Sequence, residues 1–183
     1  MMGAAAFYCM VISMVALTAC GSDSSSDSGS DSGSGGDTYA LKGAVMEVKF
    51  REPQDILEVC DVKVTINGAE EAVTSSDWTK TVKLDALPAH FSVQVKMTKK
   101  EGKDWDPEKT YSIFVSEPLA QYIYVINNKG DKVFTYKHGV SNNFPTDIKG
   151  VAQMDIAMEH FGEYSGEYTI NKNGEEVSWI EEL

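Results

Sequence analysis

The sequence predicts an all-β fold, a single antiparallel β-sandwich formed by residues 39–183. Three features predict it: short segments that alternate apolar and polar residues, Gly, Pro and Asn between them, and almost no apolar spacing of 3.6 residues. The first 38 residues lack a folded pattern, which leaves about 145 residues, enough for one domain with a hydrophobic core.

Alternation predicts most strands directly. In chain order the predicted strands are Ala44–Phe50, Val62–Ile66, Thr81–Leu87, Phe91–Met97, Tyr111–Val115, Tyr122–Ile126 and Lys132–Tyr136. Asn67-Gly68 predicts a turn, and Gly130 suits a left-handed position in the loop before Lys132. Tyr122–Ile126 and Lys132–Tyr136 carry apolar residues on both faces, so we expect both strands to lie centrally in a sheet.

The C-terminal part predicts one hairpin and one ambiguous segment. A two-residue turn at Asn173-Gly174 would pair Ile170 with Val177 and Tyr168 with Trp179. Val151–Phe161 fits both a strand and a helix, and we predict a strand.

Residues 1–19 contain no charge and are mostly apolar, and they lead into Leu17-Thr18-Ala19-Cys20. This run resembles the lipobox of bacterial lipoproteins. The resemblance implies that 1–19 is a signal peptide and that Cys20 receives a diacylglycerol, which makes the membrane a partner. A signal peptide usually begins with Lys or Arg, and this segment contains neither. The alternative is an uncleaved membrane anchor, which would also hold the domain outside the cytoplasm.

Residues 20–38 are rich in Ser, Gly and Asp, so we predict a disordered tether. Asp23 and Asp27 near Cys20 resemble the export signal of Bacteroidetes-type surface lipoproteins. That resemblance implies the outer membrane, with the domain facing outward. Many exported lipoproteins carry domains similar to immunoglobulin or fibronectin type III modules, and Leu84–Val93 resembles the fibronectin corner, with Phe91 in place of its tyrosine.

The charge and the cysteines exclude several classes of function. The formal net charge is −12 with a single arginine, Arg51, which disfavours a nucleic-acid partner. Cys60 stands alone in the domain among strand residues, so we expect a buried, unreactive thiol. The three histidines have no metal-ligand spacing, and no nucleophile or phosphate-binding motif is present. We therefore expect a protein that is not an enzyme and carries no cofactor.

The segment around Trp105 is the strongest candidate for ligand contact. Asp104 and Asp106 alternate as calcium ligands could, but the EF-hand spacing is missing. Trp105 lies among charges, so it is either exposed for stacking on a ligand or folded back onto the sheet edge. Trp78 and Trp179 are expected in the core.

These observations predict a membrane-anchored, non-catalytic β-sandwich that binds extracellular glycan or protein. The alternative is a structural accessory subunit of an outer-membrane or pilus-like assembly. Such a subunit needs an open sheet edge, for which Thr38–Phe50 is one candidate. An enzyme whose site is assembled from distant loops is the third choice.

Overall fold

A computed structural model describes residues 40–115, 117–140 and 144–177. The predicted leader, the predicted lipidation site Cys20, the predicted tether and Trp179 therefore lie outside the described residues. Within the described part, no helix has the length and apolar character needed to cross a bilayer.

Strands dominate the described chain. In order they are β1 (Leu41–Phe50), β2 (Cys60–Ile66), β3 (Ala69–Val73), β4 (Thr79–Leu84), β5 (Ala89–Lys99), β6 (Thr110–Ile113), β7 (Leu119–Asn127), β8 (Lys132–His138), β9 (Thr146–Lys149), β10 (Glu163–Ile170) and β11 (Glu176–Val177). Two helices interrupt them, α1 (Gln54–Val59) and α2 (Val151–Phe161).

The strands form two main antiparallel sheets, and the predicted all-β sandwich is confirmed. The four-stranded sheet has the order β4-β1-β7-β8, and the five-stranded sheet has the order β11-β10-β5-β2-β3. Strands β6 and β9 pair in a separate two-stranded ribbon.

Alternation places the core between the two sheets. On β1 the inward residues are Ala44, Met46, Val48 and Phe50, as predicted, and none is more than 5% exposed. Phe91, Val93 and Val95 of β5 face them from the five-stranded sheet and are equally buried. Each large side chain buried in this way contributes about 1.5–3 kcal/mol of hydrophobic stabilisation.

Polar contacts close both sides of the sandwich. On one side Lys80 of β4 forms an ion pair with Glu71 of β3. On the other side His138 Nε2 of β8 lies 2.7 Å from Glu176 Oε1 of β11. The Tyr136 hydroxyl donates to the Gly174 carbonyl at 2.8 Å on that same side. The open edges of the core are thus covered by groups that reach from one sheet to the other.

The predicted strand at Val151–Phe161 is wrong, because this segment is the helix α2. Its buried residues are Met154 and Ala157, which are three apart, whereas Ile156 is 56% exposed. A strand would have placed Met154 and Ile156 on the same face. Helical spacing therefore explains the burial, and alternation does not.

The predicted positions of three strands are only partly correct. β7 lies centrally, as predicted, but β8 is the outer strand of its sheet, with Val133 and Phe134 about 40% exposed. β1, which contains most of the candidate edge Thr38–Phe50, lies between β4 and β7 and is therefore not an edge. Apolar residues on both faces of β8 reflect its contact with the β10–β11 loop, where Phe134 approaches Gly174.

The predicted register of the C-terminal hairpin is wrong by one residue. Val177 pairs with Thr169 and Glu176 pairs with Ile170. Gly174 has φ 82° and closes a three-residue loop rather than a two-residue turn. The predicted turn at Asn67-Gly68 is confirmed, with φ values of 49° and 81°, and it joins β2 to β3.

The β7–β8 loop repeats the arrangement of the β10–β11 loop, with Asn first, Gly fourth and an acid fifth. Asn127 Oδ1 accepts from the backbone N–H groups of Lys129 and Asp131 at 2.9 Å, and its Nδ2 donates to Asp131 Oδ2 at 3.0 Å. Asn171 makes the same contacts with Asn173 and Glu175. One asparagine side chain thus organises each loop.

We expect Asn127→Ala to lower the free energy of unfolding by about 1–3 kcal/mol, because Asn127 is buried and the substitution leaves two N–H groups without an acceptor. Asn171→Ala is the matched control, and it should cost less because that loop is more exposed to water. Urea unfolding of both variants measures the difference. Equal losses would contradict this account.

Candidate binding site

Trp105 is buried, so of its two predicted placements the structure shows the folded-back one, with the ring against α2 and β6, and not exposure for ligand stacking. Its side chain is 2% exposed, and its Nε1 donates to Asp155 Oδ1 of α2 at 3.0 Å. Its ring meets Tyr111 edge-on with centroids 5.2 Å apart. Trp105 thus holds residues 100–109 against the rest of the domain.

Asp104 and Asp106 take part in this loop structure and do not converge on one site. Asp104 Oδ1 accepts from Lys99 Nζ at 2.6 Å and from the Trp105 N–H at 2.9 Å. The hydrogen bond from Lys99 lowers the pKa of Asp104 below its usual value. Asp106 Oδ1 accepts from the Glu108 N–H at 2.9 Å. No group of three His, Cys, Asp or Glu in the described part of the chain could hold a metal ion.

Cys60 is buried, as predicted. Burial raises the pKa of its thiol to about 11 and outweighs the opposing effect of the nearby Lys100 and Lys99. A thiol in this state has little thiolate at neutral pH.

Two tyrosines occupy the outward face of the four-stranded sheet. Tyr122 pairs with Glu47 and Tyr124 pairs with Val45, while Ile123 between them is fully buried. The two rings lie on one face of the central strand β7, about 7 Å apart along it. Both are half-buried, so part of each ring is open to solvent.

Lysines surround these rings. Lys132 Nζ lies 3.4 Å from the Tyr124 ring centroid, and Lys49 Nζ lies 5.4 Å from the Tyr122 ring centroid. Lys137 pairs across the strands with Tyr122. We call this surface the tyrosine face and define it by Tyr122, Tyr124, Lys49, Lys132 and Lys137.

The tyrosine face has the chemistry of a binding surface. A tyrosine ring offers a flat apolar surface and a polar hydroxyl, and ammonium groups beside it donate hydrogen bonds. The sequence signal was the alternation of Tyr, Ile and Tyr at 122–124, which we took as apolar on both faces. Sequence reasoning missed the site because only the strand pairing shows which face is outward.

A second surface lies on the outward face of the five-stranded sheet. It is a shallow depression of about 550 Å³ lined by Thr65, Ser92, Gln94, Ser165 and Glu167, among others. Short side chains between longer neighbours create the depression. Its lining has no aromatic residue on which a ligand could stack, so we place the candidate site on the tyrosine face.

Glu52 is a buried carboxyl next to a small apolar cavity. It is 3% exposed, and each of its oxygens lies 3.1 Å from the Phe114 N–H. Burial raises the pKa of Glu52 to about 7. The cavity measures about 10 Å³ and is lined by Ile56, Met97 and Met158 with several neighbours. A space of that size holds at most one water molecule, so Glu52 has a structural role.

Because the pKa of Glu52 in the folded chain exceeds its ordinary value of 4.5, the folded state binds the proton more tightly than the unfolded state. Its contribution to stability is complete below pH 4.5 and is lost as the pH rises through about 7, a change of about 3 kcal/mol. We expect Glu52→Gln to be more stable than the parent at pH 8 and equally stable near pH 4.5. Thermal unfolding between pH 4.5 and pH 8 measures the difference in stability between the variant and the parent, with the exposed Glu167→Gln as control. A constant difference at all pH values would contradict the assignment.

Comparison of the chain with known protein families, with curated proteins and with solved structures found no match. The proposals that follow therefore depend on the residues and geometry of this chain.

Proposed function

We propose that this protein is a membrane-anchored lipoprotein whose non-catalytic β-sandwich binds extracellular glycan through the tyrosine face. The observation that carries the proposal is the placement of Tyr122 and Tyr124 side by side on the outside of a central strand. Aromatic side chains are usually directed inward, and a pair that faces solvent on a regular sheet marks an interaction surface.

The position of the two rings favours binding of an extended, repeating ligand. β7 pairs on both sides, with β1 and β8, so its backbone cannot shift easily. Rings fixed in this way lose little conformational freedom when a ligand stacks on them. A pyranose ring has a flat C–H face that fits an aromatic ring, and its hydroxyls can accept from the neighbouring ammonium groups.

The proposed location rests on the N-terminal sequence. A lipid on Cys20 anchors the chain, and residues 21–38 act as a tether with a reach of about 23 Å. The acidic residues near Cys20 support transfer to the outer membrane with the domain outward. A surface-displayed domain can then meet glycans outside the cell.

We expect mass spectrometry of membrane-extracted protein to find a lipid on Cys20 as the first residue of the mature chain. Cys20→Ser should remove the lipid and release the protein from the membrane fraction. Cys9→Ser is the control, because Cys9 lies within the leader and should have no effect. An unmodified Cys20 thiol in a cytosolic protein would refute both the anchor and the location.

We expect Tyr122→Ala and Tyr124→Ala each to weaken glycan binding up to about tenfold, since a stacked aromatic contributes about 0.5–1.5 kcal/mol. A glycan array followed by titration of the best ligand measures the loss. The matched control is Gln94→Ala with Ser165→Ala on the other sheet. Loss of binding in that control with full binding in the tyrosine variants would move the site to the depression.

A structural accessory subunit remains the second candidate function, and one observation favours it. β8 is seven residues long, and its outer side pairs with no strand among the described residues. A strand from another protein could add to this edge through backbone hydrogen bonds. Crosslinking in cells separates the two functions, since an accessory subunit should give a second protein joined at β8.

A further inference from the structure

The tyrosine face carries positive charge although the protein as a whole is acidic. Strand pairing places four lysines and one glutamate on the outward face of the four-stranded sheet: Lys49, Lys83, Lys132, Lys137 and Glu47. The chain has a formal net charge of −12. The charge of this face is therefore opposite to that of the whole molecule.

The outward face of the five-stranded sheet shows the reverse balance. Its pairing positions carry four carboxylates and two lysines: Asp61, Glu70, Glu163, Glu167, Lys63 and Lys96. Both lysines are neutralised, by Glu70 at 2.8 Å and by Glu163 at 2.6 Å. The two faces of the sandwich thus differ in sign.

The lysines on the outward face of the four-stranded sheet differ in their partners. Lys49 pairs with Glu47 at 2.8 Å, and Lys83 pairs with Asp85 at 2.7 Å. Lys132 lies over the Tyr124 ring, and neither Lys132 nor Lys137 has a carboxylate within ion-pair distance among residues 40–115, 117–140 and 144–177. Both belong to β8, at opposite ends and about 15 Å apart. Two cations without carboxylate partners in the described part of the chain therefore flank the tyrosine rings.

We propose that the ligand of the tyrosine face is an acidic polysaccharide, whose carboxylate or sulfate groups pair with Lys132 and Lys137 while its sugar rings lie on Tyr122 and Tyr124. This inference rests on the proposed function and names the class of its ligand. A neutral glycan would displace water from the two ammonium groups without supplying an anion in its place. This desolvation of unpaired charges costs free energy. An acidic chain neutralises them, and its charges repeat along its length as the two lysines do along β8.

An anionic membrane surface is the other ligand with this charge, and the structure favours it less. Apolar side chains that project from a basic face add to its attraction for anionic lipids and strengthen membrane binding. The most exposed large apolar side chains in the described part are Phe144, 88% exposed, and Ile156. Neither lies on the four-stranded sheet. On that sheet the exposed large apolar side chains among the described residues are Val133 and Phe134 of β8, each about 40% exposed, and Phe134 pairs with the buried Val125 on the inward side. The outward face of the sheet therefore has cations and flat rings with one partly exposed valine as its apolar anchor.

The test compares dextran sulfate with dextran, which share a backbone and differ in charge, using the full-length lipidated protein in detergent. Polygalacturonate serves as the carboxylate ligand. We expect dextran sulfate and polygalacturonate to bind and dextran to bind at least about tenfold more weakly. The affinity for both acidic ligands should fall as NaCl is raised from 50 to 300 mM.

Two charge-matched variants locate the interaction. Lys132→Gln with Lys137→Gln should weaken dextran sulfate binding at least about fivefold. Lys63→Gln with Lys96→Gln removes the same charge from the other face, at exposed positions where ion pairs contribute little stability, and should change binding less than about twofold. Equal losses of dextran sulfate binding in both variants would show nonspecific electrostatic attraction and not a site on the tyrosine face. That result would overturn the inference.

The remaining outcomes separate this inference from the proposed function. If dextran binds as tightly as dextran sulfate and the tyrosine variants lose both, glycan binding stands and the acidic ligand is refuted. If neither polysaccharide nor polygalacturonate binds but the glycan array finds a neutral ligand that the tyrosine variants lose, the acidic ligand is refuted and glycan binding stands. If the array also finds no ligand, both proposals fail. If phosphatidylglycerol vesicles bind the unlipidated Cys20→Ser form as tightly as dextran sulfate does, and the Lys132/Lys137 variant loses this binding, the ligand is a membrane surface and the inference is overturned.

Discussion

The burial of alternate residues between the two sheets is the constraint on which the other features depend. Met46 and Val48 on one sheet, and Phe91 and Val95 on the other, are almost completely excluded from water. Since a strand has a side-chain period of two, fixing these residues inward fixes their neighbours outward. The tyrosine face is the outer side of this arrangement. The positions of the tyrosine rings are therefore fixed by the same alternation that fixes the core.

Much of the fold was predictable because alternation is a local signal. It located seven strands within a few residues, but it could not show which strands pair, since pairing joins segments that are far apart in sequence. α2 was mistaken for a strand because small and apolar residues alternate over 152–158, and Gly150 and Gly162, which bracket the helix, were not weighed. The C-terminal register failed because Asn173-Gly174 suits two turn types. The side chain of Asn171, two residues earlier, decides between them.

The candidate site was harder to predict than the fold. Trp105 has acidic neighbours on both sides, which indicated exposure, but Lys99 balances Asp104, and Asp155 accepts from the indole. Asp155 is 50 residues away in sequence, so no local pattern could reveal this contact. The tyrosine pair was visible at 122 and 124, yet its importance depends on β1 and β8 lying beside β7. Both errors come from partners that only the folded chain brings together.

The burial of Trp105 has a consequence for the resistance of the domain to proteases. Residues 100–109 contain Lys100, Lys103 and Lys109, each a cleavage site for a trypsin-like enzyme, in a hydrophilic loop. A protease must first open the loop, which removes the indole from its contacts with Tyr111 and Asp155. Losing a buried tryptophan costs about 3 kcal/mol or more, so fewer than about one loop in a hundred is open at any moment. The buried indole thus protects a segment whose three lysines would otherwise be open to cleavage.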